Sequence, residues 1–446
     1  MKNCRRHSLS MGVLLIATVL LNLLPTARAA DYEPKPTNSY FAKFNPRLAP
    51  APGPLLLKEG DKLAIIGDSI TEQKMYSRII ETYLTVCVPE LKITARQFGW
   101  SGETAEGFLR RMTNDCLRFE PTVATLCYGM NDFKYRTFDV ENSRWYQQNY
   151  SAVVTGLEGI GARVVLGSPG CVGKVPAWTH SNAYTLDELN ISLLAFRDLD
   201  IGLAQNLNTR FADVFWPMFK AGYEAQTLYG TADQPYNISG KDGVHPGWAG
   251  HLVMAYAFLR AMGLDGDLGT LTVDLGDKTA TATAGHTVES FKDNTLTVLS
   301  TKYPFCAGSE TNSDNSIRSG ATLVPFFDEL SRFRLVVKNA AAANYRVIWG
   351  PATNTYTAAQ LAAGVNLAAD FVDNPFCDAF KKVDEAVAAK QAYETKQIKQ
   401  VFHGKEAKAD MDAAVKTTEA ERAPLAAAIA TAMVPVRHSI VIQAVP

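Results

Sequence analysis

Cysteine is scarce in this sequence, and no pattern of metal ligands occurs. The chain has 7 cysteines among 446 residues, and none stands in a Cys-x-x-Cys pair or a His/Cys cluster. Such pairs and clusters are the usual signature of a structural zinc site. The scattered spacing also differs from that of a small disulfide-stapled scaffold. We therefore expect neither a metal nor an organic cofactor.

An excess of charge of one sign is missing as well. The chain has 44 lysines and arginines against 45 acids, a formal net charge of −1. Without the first thirty residues, which hold four bases and no acid, 40 bases face 45 acids and the net charge is −5. A mildly acidic chain without basic clusters is a poor candidate for nucleic-acid binding. We expect no nucleic-acid partner.

Long apolar runs are absent beyond the first thirty residues. Residues 1–30 combine a basic start, the apolar run "MGVLLIATVLLNLLP" and the small residues "TARAA". That order is typical of a secretory signal peptide, and the run is shorter than the ~20 residues that span a bilayer. We predict that residues 1–30 are removed and that the protein is secreted or periplasmic, with no membrane span.

Short β-rich runs alternate with helical patterns from residue 61 onward. An extended lead-in over residues 31–60 comes first, and the alternation continues to a closing helix in "GWAGHLVMAYAFLRAMG". Strands that alternate with helices of this length predict a parallel sheet covered on both faces. Residues 61–263 are therefore predicted to form one α/β domain.

The pattern changes after residue 263. Residues 264–350 hold closely spaced Thr/Val-rich runs, which predict an antiparallel sheet or small sandwich. A helical hairpin is predicted over about 376–433, and a final strand over 438–444. We expect residues 264–446 to support the fold or extend substrate binding, with the charged helices packed on the β-rich module as a solvated scaffold.

One stretch, "KLAIIGDSITEQ", leaves a buried strand at Gly67 and places Ser69 at the start of a helix. The turn is expected to require glycine for a positive φ. Three further polar loops, "FGWSGET", "YGMND" and "KDGVHPG", follow later strands or precede the closing helix. Ligands bind beyond the carboxyl ends of the strands in such sheets. The four loops are therefore expected to converge on one edge.

The residue types in these loops are those of nucleophilic catalysis. A serine hydroxyl needs a neighbouring base, and His245 is the best candidate for it, with Asp242 three residues earlier to orient the ring. Attack on an acyl carbon builds an oxyanion that needs hydrogen-bond donors. The backbone N–H groups of Ser69 and Gly102 and the amide of Asn131 are the predicted donors.

Together the four blocks resemble the SGNH, or GDSL-type, hydrolase superfamily. "GDSIT" matches its nucleophile block, "GWSGET" its Gly-x-Ser-Gly-x-Thr block, "GMND" its Gly-x-Asn-Asp block and "DGVH" its Asp-x-x-His block. The resemblance covers about residues 61–262. It implies a flavodoxin-like three-layer α/β/α domain, the catalytic and oxyanion-hole roles given above, and activity on esters of lipids, aryl alcohols or acetylated sugars.

Ser69 and several residues near it in these blocks also have a simpler interpretation. Ser69 alone is more typical of a helix N-cap. Ser101 is a rival nucleophile, although Glu103 breaks the Gly-x-Ser-x-Gly elbow. Asp68 and Asp132 are interpreted as turn-holding residues. The remaining histidines of the predicted mature chain are interpreted as packing or surface residues: His180, His251, His286, His403 and His438.

Aromatic residues fall in the predicted loops near the cleft. They are Trp100, Trp178, Trp216, Phe219 and Tyr236. They are interpreted either as ordinary loop packing or as a wall for a sugar ring or acyl chain.

The sequence favours an exported serine esterase that removes short acyl groups, chiefly acetyl, from a small-molecule or polysaccharide ester. An appended β-rich module and the lack of a greasy lid segment favour carbohydrate over lipid. The alternatives are a lysophospholipase or arylesterase of the same superfamily, and a carbohydrate-binding protein without turnover.

Overall fold

The computed structural model describes residues 31–179 and 184–445. The predicted signal peptide, residues 1–30, and His180 lie outside the described residues. The chain divides into a first unit that ends at Leu48 and a second that begins at Ala49. In the first unit a short 3-10 helix, Ser39–Lys43, interrupts the predicted extended lead-in, and the side chain of Asn38 caps it.

The second unit contains a five-stranded parallel sheet with the strand order β2-β1-β3-β4-β5. This order is that of flavodoxin-like doubly wound sheets. The strands are β1 (Lys62–Gly67), β2 (Thr94–Gln97), β3 (Val123–Cys127), β4 (Arg163–Gly167) and β5 (Arg210–Ala212). All residues of β3 are buried, as expected for a strand covered on both faces. The predicted α/β class and the three-layer fold are confirmed.

Helices cover the two faces of this sheet. They are α1 (Ser69–Glu72), α2 (Tyr76–Val86), α3 (Ala105–Asp115), α4 (Val140–Glu158), α5 (Leu186–Leu207), α6 (Phe215–Tyr229) and α7 (Trp248–Ala261). α2 packs on α7, whereas α3, α4 and α5 pack together in sequence. Right-handed crossovers place these two groups on opposite faces, because the strand order reverses after β2.

Helix α6 lies where the sequence predicted loops around Trp216 and Phe219. Its proline, Pro217, lies in the first turn, where a missing N–H and a fixed φ are tolerated. Trp216 and Phe219, predicted to lie in cleft loops, are on α6 and buried. Tyr236 does lie in a loop, but its hydroxyl bonds to Ser319 Oγ at 2.8 Å and its side chain is buried. These three aromatic residues are packing residues.

The region after residue 263 contains two sheets. Their strands are β6 (Asp267–Asp274), β7 (Thr279–Ala282), β8 (His286–Lys292), β9 (Thr295–Ser300), β10 (Arg332–Lys338), β11 (Asn344–Trp349), β12 (Ala352–Thr357), β13 (Val365–Asn366) and β14 (Val436–Val445). One sheet has the order β13-β10-β6-β7 and the other β12-β11-β14-β9-β8. The second is antiparallel, as predicted, but β10 pairs parallel with β6 in the first.

The two sheets meet in an aromatic core. The ring centroid of Phe333 on β10 lies 5.9 Å from that of Trp349 on β11 and 6.2 Å from that of His438 on β14. His286 and His438 are buried and both bond to Ser300 Oγ. Each is therefore a packing histidine, as interpreted from the sequence. Four short helices follow strands of these sheets along the chain: α8 (Ile317–Leu323), α9 (Phe326–Glu329), α10 (Ala358–Ala363) and α11 (Leu367–Asp370).

The predicted helical hairpin is present in the predicted range, but it packs mainly on the α/β domain. It consists of α12 (Cys377–Lys396), a π-helical turn (Gln397–Phe402), α13 (Lys405–Ala409) and α14 (Met411–Ala432). Phe376 and Phe380, at the start of α12, reach aromatic residues of the β-rich region. The rest of α12 packs on α2 and on the edge strand β2 of the α/β domain. The prediction of a scaffold packed on the β-rich module is therefore wrong for most of this helix.

Candidate active site

The turn after β1 presents Ser69 at the carboxyl edge of the sheet. Gly67 does not have the positive φ expected from the sequence. It is required because a Cβ there would lie 2.2 Å from Thr71 Oγ1 and 2.7 Å from the carbonyl oxygen of Cys127. Asp68 caps α1 by accepting the N–H of Ile70 at 2.9 Å. Asp68, and not Ser69, is therefore the N-cap.

Ser69, His245 and Asp242 form one chain of hydrogen bonds. His245 Nδ1 lies 2.6 Å from Asp242 Oδ2, and its Nε2 lies 2.8 Å from Ser69 Oγ. A carboxylate can only accept, so Nδ1 carries the proton and Nε2 accepts from the serine hydroxyl. This is the arrangement in which histidine can take the serine proton.

The loop before α7 fixes Asp242 in place. Its Oδ1 accepts the backbone N–H groups of Val244 and His245, each at 2.9 Å. Partial burial opposes ionisation, but these bonds and the His245 ring lower the pKa of Asp242. The carboxylate is therefore held ionised and aimed at Nδ1, ready to stabilise an imidazolium.

The two remaining predicted donors lie on neighbouring loops. Gly102 has φ +73° and open space where a Cβ would project. Asn131 donates one amide N–H to the carbonyl oxygen of Glu103 at 2.9 Å, which leaves the second N–H for a ligand. Asp132 anchors this loop by accepting from Gly129 and Ala105, each at 2.9 Å. Burial raises the pKa of Asp132 to about 6 and that of Asp68 to about 7.

The hydrogen bonds of Ser101 go to a carboxylate rather than to a histidine. Its N–H and its hydroxyl both bond to the carboxylate of Glu72, at 2.5 and 2.6 Å. The interpretation of Ser101 as a loop-supporting residue therefore agrees with its contacts. Glu72 in turn accepts from Lys399 Nζ at 2.8 and 2.9 Å. The pairing of Glu72 with Lys399 has no signal in the sequence, because the two residues lie 327 positions apart and no local pattern links them.

Two further histidines close to these loops have partners. His251 is buried, with Nδ1 accepting from the N–H of Tyr76 at 3.2 Å and Nε2 at 3.1 Å from Gln73 Oε1. Burial lowers the pKa of His251 to about 3, so it is neutral and structural. His403 Nε2 lies 2.8 Å from Asp115 Oδ2, a contact between distant segments that the sequence does not reveal.

Trp178 is the predicted cleft aromatic that stands beside the histidine. Its ring centroid lies 6.1 Å from that of His245, and its side chain is 44% exposed. Tyr135 packs against it with its centroid at 5.8 Å. Trp100 is more enclosed, with the His403 ring at 4.8 Å and Arg111 and Lys399 over its face.

No group of three or more His, Cys, Asp or Glu side chains in residues 31–179 and 184–445 could hold a metal ion. In the same part of the chain, no helix is both long and apolar enough to cross a bilayer.

Comparisons with known proteins give the family of the α/β domain. Residues 65–253 match the GDSL-like Lipase/Acylhydrolase family. An acetylxylan esterase of Geobacillus stearothermophilus is 25% identical over 230 residues, which are 46% of this chain and 95% of that protein. A solved structure of a catalytic mutant of an acetylxylan esterase from the same organism is 21% identical and covers 47% of this chain and 97% of its own, with a TM-score of 0.38.

A longer structural likeness extends into the C-terminal region. A gut microbial diltiazem-metabolizing enzyme is 22% identical, covers 88% of this chain and all of its own, and superimposes with a TM-score of 0.68. At that identity the likeness concerns the fold. The α/β domain belongs to the SGNH/GDSL hydrolase superfamily. The α/β domain is accordingly an ester-hydrolysing enzyme domain of that superfamily.

Proposed function

We propose that this protein is an exported serine esterase that removes short acyl groups, chiefly acetyl, from carbohydrate through an acyl-enzyme. The observation that carries the proposal is the chain of hydrogen bonds from Asp242 through His245 to Ser69, at 2.6 and 2.8 Å. Export rests on the signal-peptide pattern of residues 1–30.

The reaction follows from the position of each proton. His245 Nε2 takes the proton of Ser69 Oγ as the oxygen attacks the ester carbonyl, and Asp242 stabilises the imidazolium. The backbone N–H groups of Ser69 and Gly102 and the second amide N–H of Asn131 bind the oxyanion. The imidazolium then protonates the departing alcohol. Water, activated by the same histidine, hydrolyses the acyl-serine and restores the enzyme.

Two features support a carbohydrate ester as the substrate. The exposed face of Trp178 beside His245 offers an apolar surface on which a sugar ring can stack. A cavity of about 550 Å³ adjoins the loop of Ser101 and Gly102, called the oxyanion loop below. Its walls include Gly102, Arg110, His403 and Lys408. Such side chains suit the hydroxyl groups of a sugar better than an acyl chain. The likeness to an acetylxylan esterase points the same way.

The acyl-enzyme can be trapped directly. We expect rapid mixing with p-nitrophenyl acetate, followed by acid quench and mass spectrometry, to place one acetyl group on the peptide that contains Ser69. p-Nitrophenyl octanoate should turn over more slowly than the acetate ester if the acyl site is small. Faster turnover of the octanoate would favour the lysophospholipase alternative, and acetylation elsewhere would remove Ser69 as nucleophile.

Trp178→Ala should separate sugar binding from chemistry. Since the ring stands beside the histidine without bonding to the reacting groups, its loss should raise KM for acetylated xylo-oligosaccharides by about 5- to 50-fold, a stacking energy of ~1–2 kcal/mol. KM for p-nitrophenyl acetate should change by less than about 2-fold. Trp145→Ala, on α4, is the matched control. Equal changes for both substrates would show that Trp178 only packs.

A further inference from the structure

Three separate segments meet at the carboxylate of Glu72. Glu72 is the last residue of α1, the short helix that begins with Ser69. Its Oε2 accepts from the N–H and the hydroxyl of Ser101, the residue before Gly102. Both of its oxygens accept from Lys399 Nζ. One carboxylate thus joins the helix of the nucleophile, the loop of a predicted oxyanion donor and the C-terminal region.

The side chain of Lys399 is partly buried and contacts both an acid and an aromatic ring. It lies in the π-helical turn Gln397–Phe402 and its side chain is 27% exposed, against 18% for Glu72. Its ammonium also lies 5.2 Å from the centroid of the Trp100 ring. Single π-helical turns are uncommon and frequently occur at functional sites. Lys74, the other nearby lysine, bonds to the backbone carbonyl of Glu72 and leaves the carboxylate to Lys399 and Ser101.

We propose that Lys399 is a positioning residue for the ester hydrolysis, acting through Glu72 to hold the oxyanion loop against the helix that carries Ser69. This inference rests on the proposed function. It assigns to the C-terminal helical region a part in the active site, which the division into a catalytic domain and an accessory region did not foresee.

The positioning role depends on the direction of one N–H group, that of Gly102. Ser101 and Gly102 are adjacent, so the two bonds from Ser101 to Glu72 set where the Gly102 N–H points. Burial disfavours the charged form of Glu72, but the bonds from Lys399 and Ser101 outweigh it and lower its pKa. Without Lys399 the carboxylate loses its cation in a partly buried place and gains freedom to turn toward water. A displacement of about 1 Å in such a loop can cost on the order of 10²-fold in rate.

The test compares Lys399→Met with Lys399→Arg and with Lys396→Met, an exposed lysine one turn away, in the full-length enzyme. Kinetics on p-nitrophenyl acetate, the melting temperature and the affinity for phenylboronic acid are measured. The boronic acid adds to a catalytic serine as a tetrahedral anion and so reports on the oxyanion donors. Lys399→Met should lower kcat and boronate affinity by the same factor, about 10- to 100-fold, with KM within about 2-fold.

Lys399→Arg should restore most of both quantities, and Lys396→Met should leave them unchanged. Wild-type kcat and boronate affinity in a folded Lys399→Met would overturn the positioning role. A lower melting temperature with unchanged boronate affinity would also overturn it, because a purely structural contact behaves in that way.

A second variant covers the case in which Lys399→Met does not fold. Glu72→Gln keeps one oxygen for Ser101 but removes the charge that holds Lys399, and it should show the same paired loss of kcat and boronate affinity. Normal values for both in Glu72→Gln would overturn the proposal. Failure of the proposed function looks different: turnover would then survive Ser69→Ala, and the positioning role would fall with it.

Discussion

Replacing Ser69 by alanine should lower kcat/KM for p-nitrophenyl acetate by about 10⁴-fold or more. The hydroxyl is the group that His245 Nε2 faces at 2.8 Å, and no other serine described here shares that contact. Binding and the oxyanion donors remain in the variant, so a small residual rate over water is expected. The measurement is steady-state hydrolysis, with circular dichroism to show that the variant is folded.

His245→Ala should lose a similar factor, and the double variant should lose little more. The two residues act as a unit, so the second removal takes away a function that is already gone. Ser439→Ala, an exposed serine on β14, is the matched control and should keep wild-type activity. Unchanged turnover in Ser69→Ala would end the serine-esterase proposal. Additive losses would show that Ser69 and His245 contribute separately.

The positions of Ser69, Asp242 and His245 could be predicted because their signals are local. Each block lies where a β-rich run ends or a helix begins, and the order of a parallel sheet brings those points to one edge. Asp242 and His245 are three residues apart, so their pairing needs no long-range knowledge. The same local signals predicted the parallel sheet.

The contacts of the C-terminal helices could not be predicted in this way. Polar residues spaced along a helix are read as a solvated face, since charged side chains are seldom buried unless paired. Lys390 and Glu394 of α12 are 1% and 0% exposed because their partners come from α2, β2 and α14. No sequence pattern near either residue predicts these partners. For the same reason the contact between Glu72 and Lys399 had no local signal.

These buried charges close the edge of the parallel sheet. Strand β2 is the edge strand, and its free backbone groups would otherwise be open to pairing with another chain. Lys390 Nζ donates to the carbonyl oxygen of Ala95 at 2.5 Å, and Glu394 Oε2 accepts the N–H of Gln97 at 3.1 Å. The side chains of α12 therefore replace a neighbouring strand.

Lys390→Met should be the most destabilising single change in this interface, by about 3–5 kcal/mol in the free energy of unfolding. Lys390 Nζ lies 2.8 Å from Glu81 Oε1 and 2.9 Å from Glu394 Oε1, and the side chains of these acids are 7% and 0% exposed. Methionine fills the space but leaves Glu81 without a cation, whereas Arg422 still reaches Glu394. Chemical denaturation measures the loss.

The controls distinguish charge from packing. Lys381→Met removes an exposed pair with Glu385 at 3.9 Å and should change stability by less than about 1 kcal/mol. Glu81→Gln added to Lys390→Met should recover part of the loss, because it removes the uncompensated carboxylate. No recovery in the double variant would show that the lysine acts through packing and through Ala95 alone.

The pH dependence of the deficit gives the sharpest test. Burial already raises the pKa of Glu81 although Lys390 opposes it, and removing Lys390 raises it further. A carboxyl whose pKa is higher in the folded than in the unfolded state destabilises the fold at high pH. That destabilisation disappears as the pH falls through the folded pKa toward the unfolded one. The deficit of Lys390→Met should therefore be largest near neutral pH and shrink as the solution is made acidic.

In the wild type, Glu394 behaves oppositely. Burial opposes its charge, but Lys390, Arg422 and Arg96 lower its pKa, so its contribution to stability is lost as pH falls. A deficit that stays constant or grows on acidification would contradict the account of Lys390 as the buried counter-charge that seals β2.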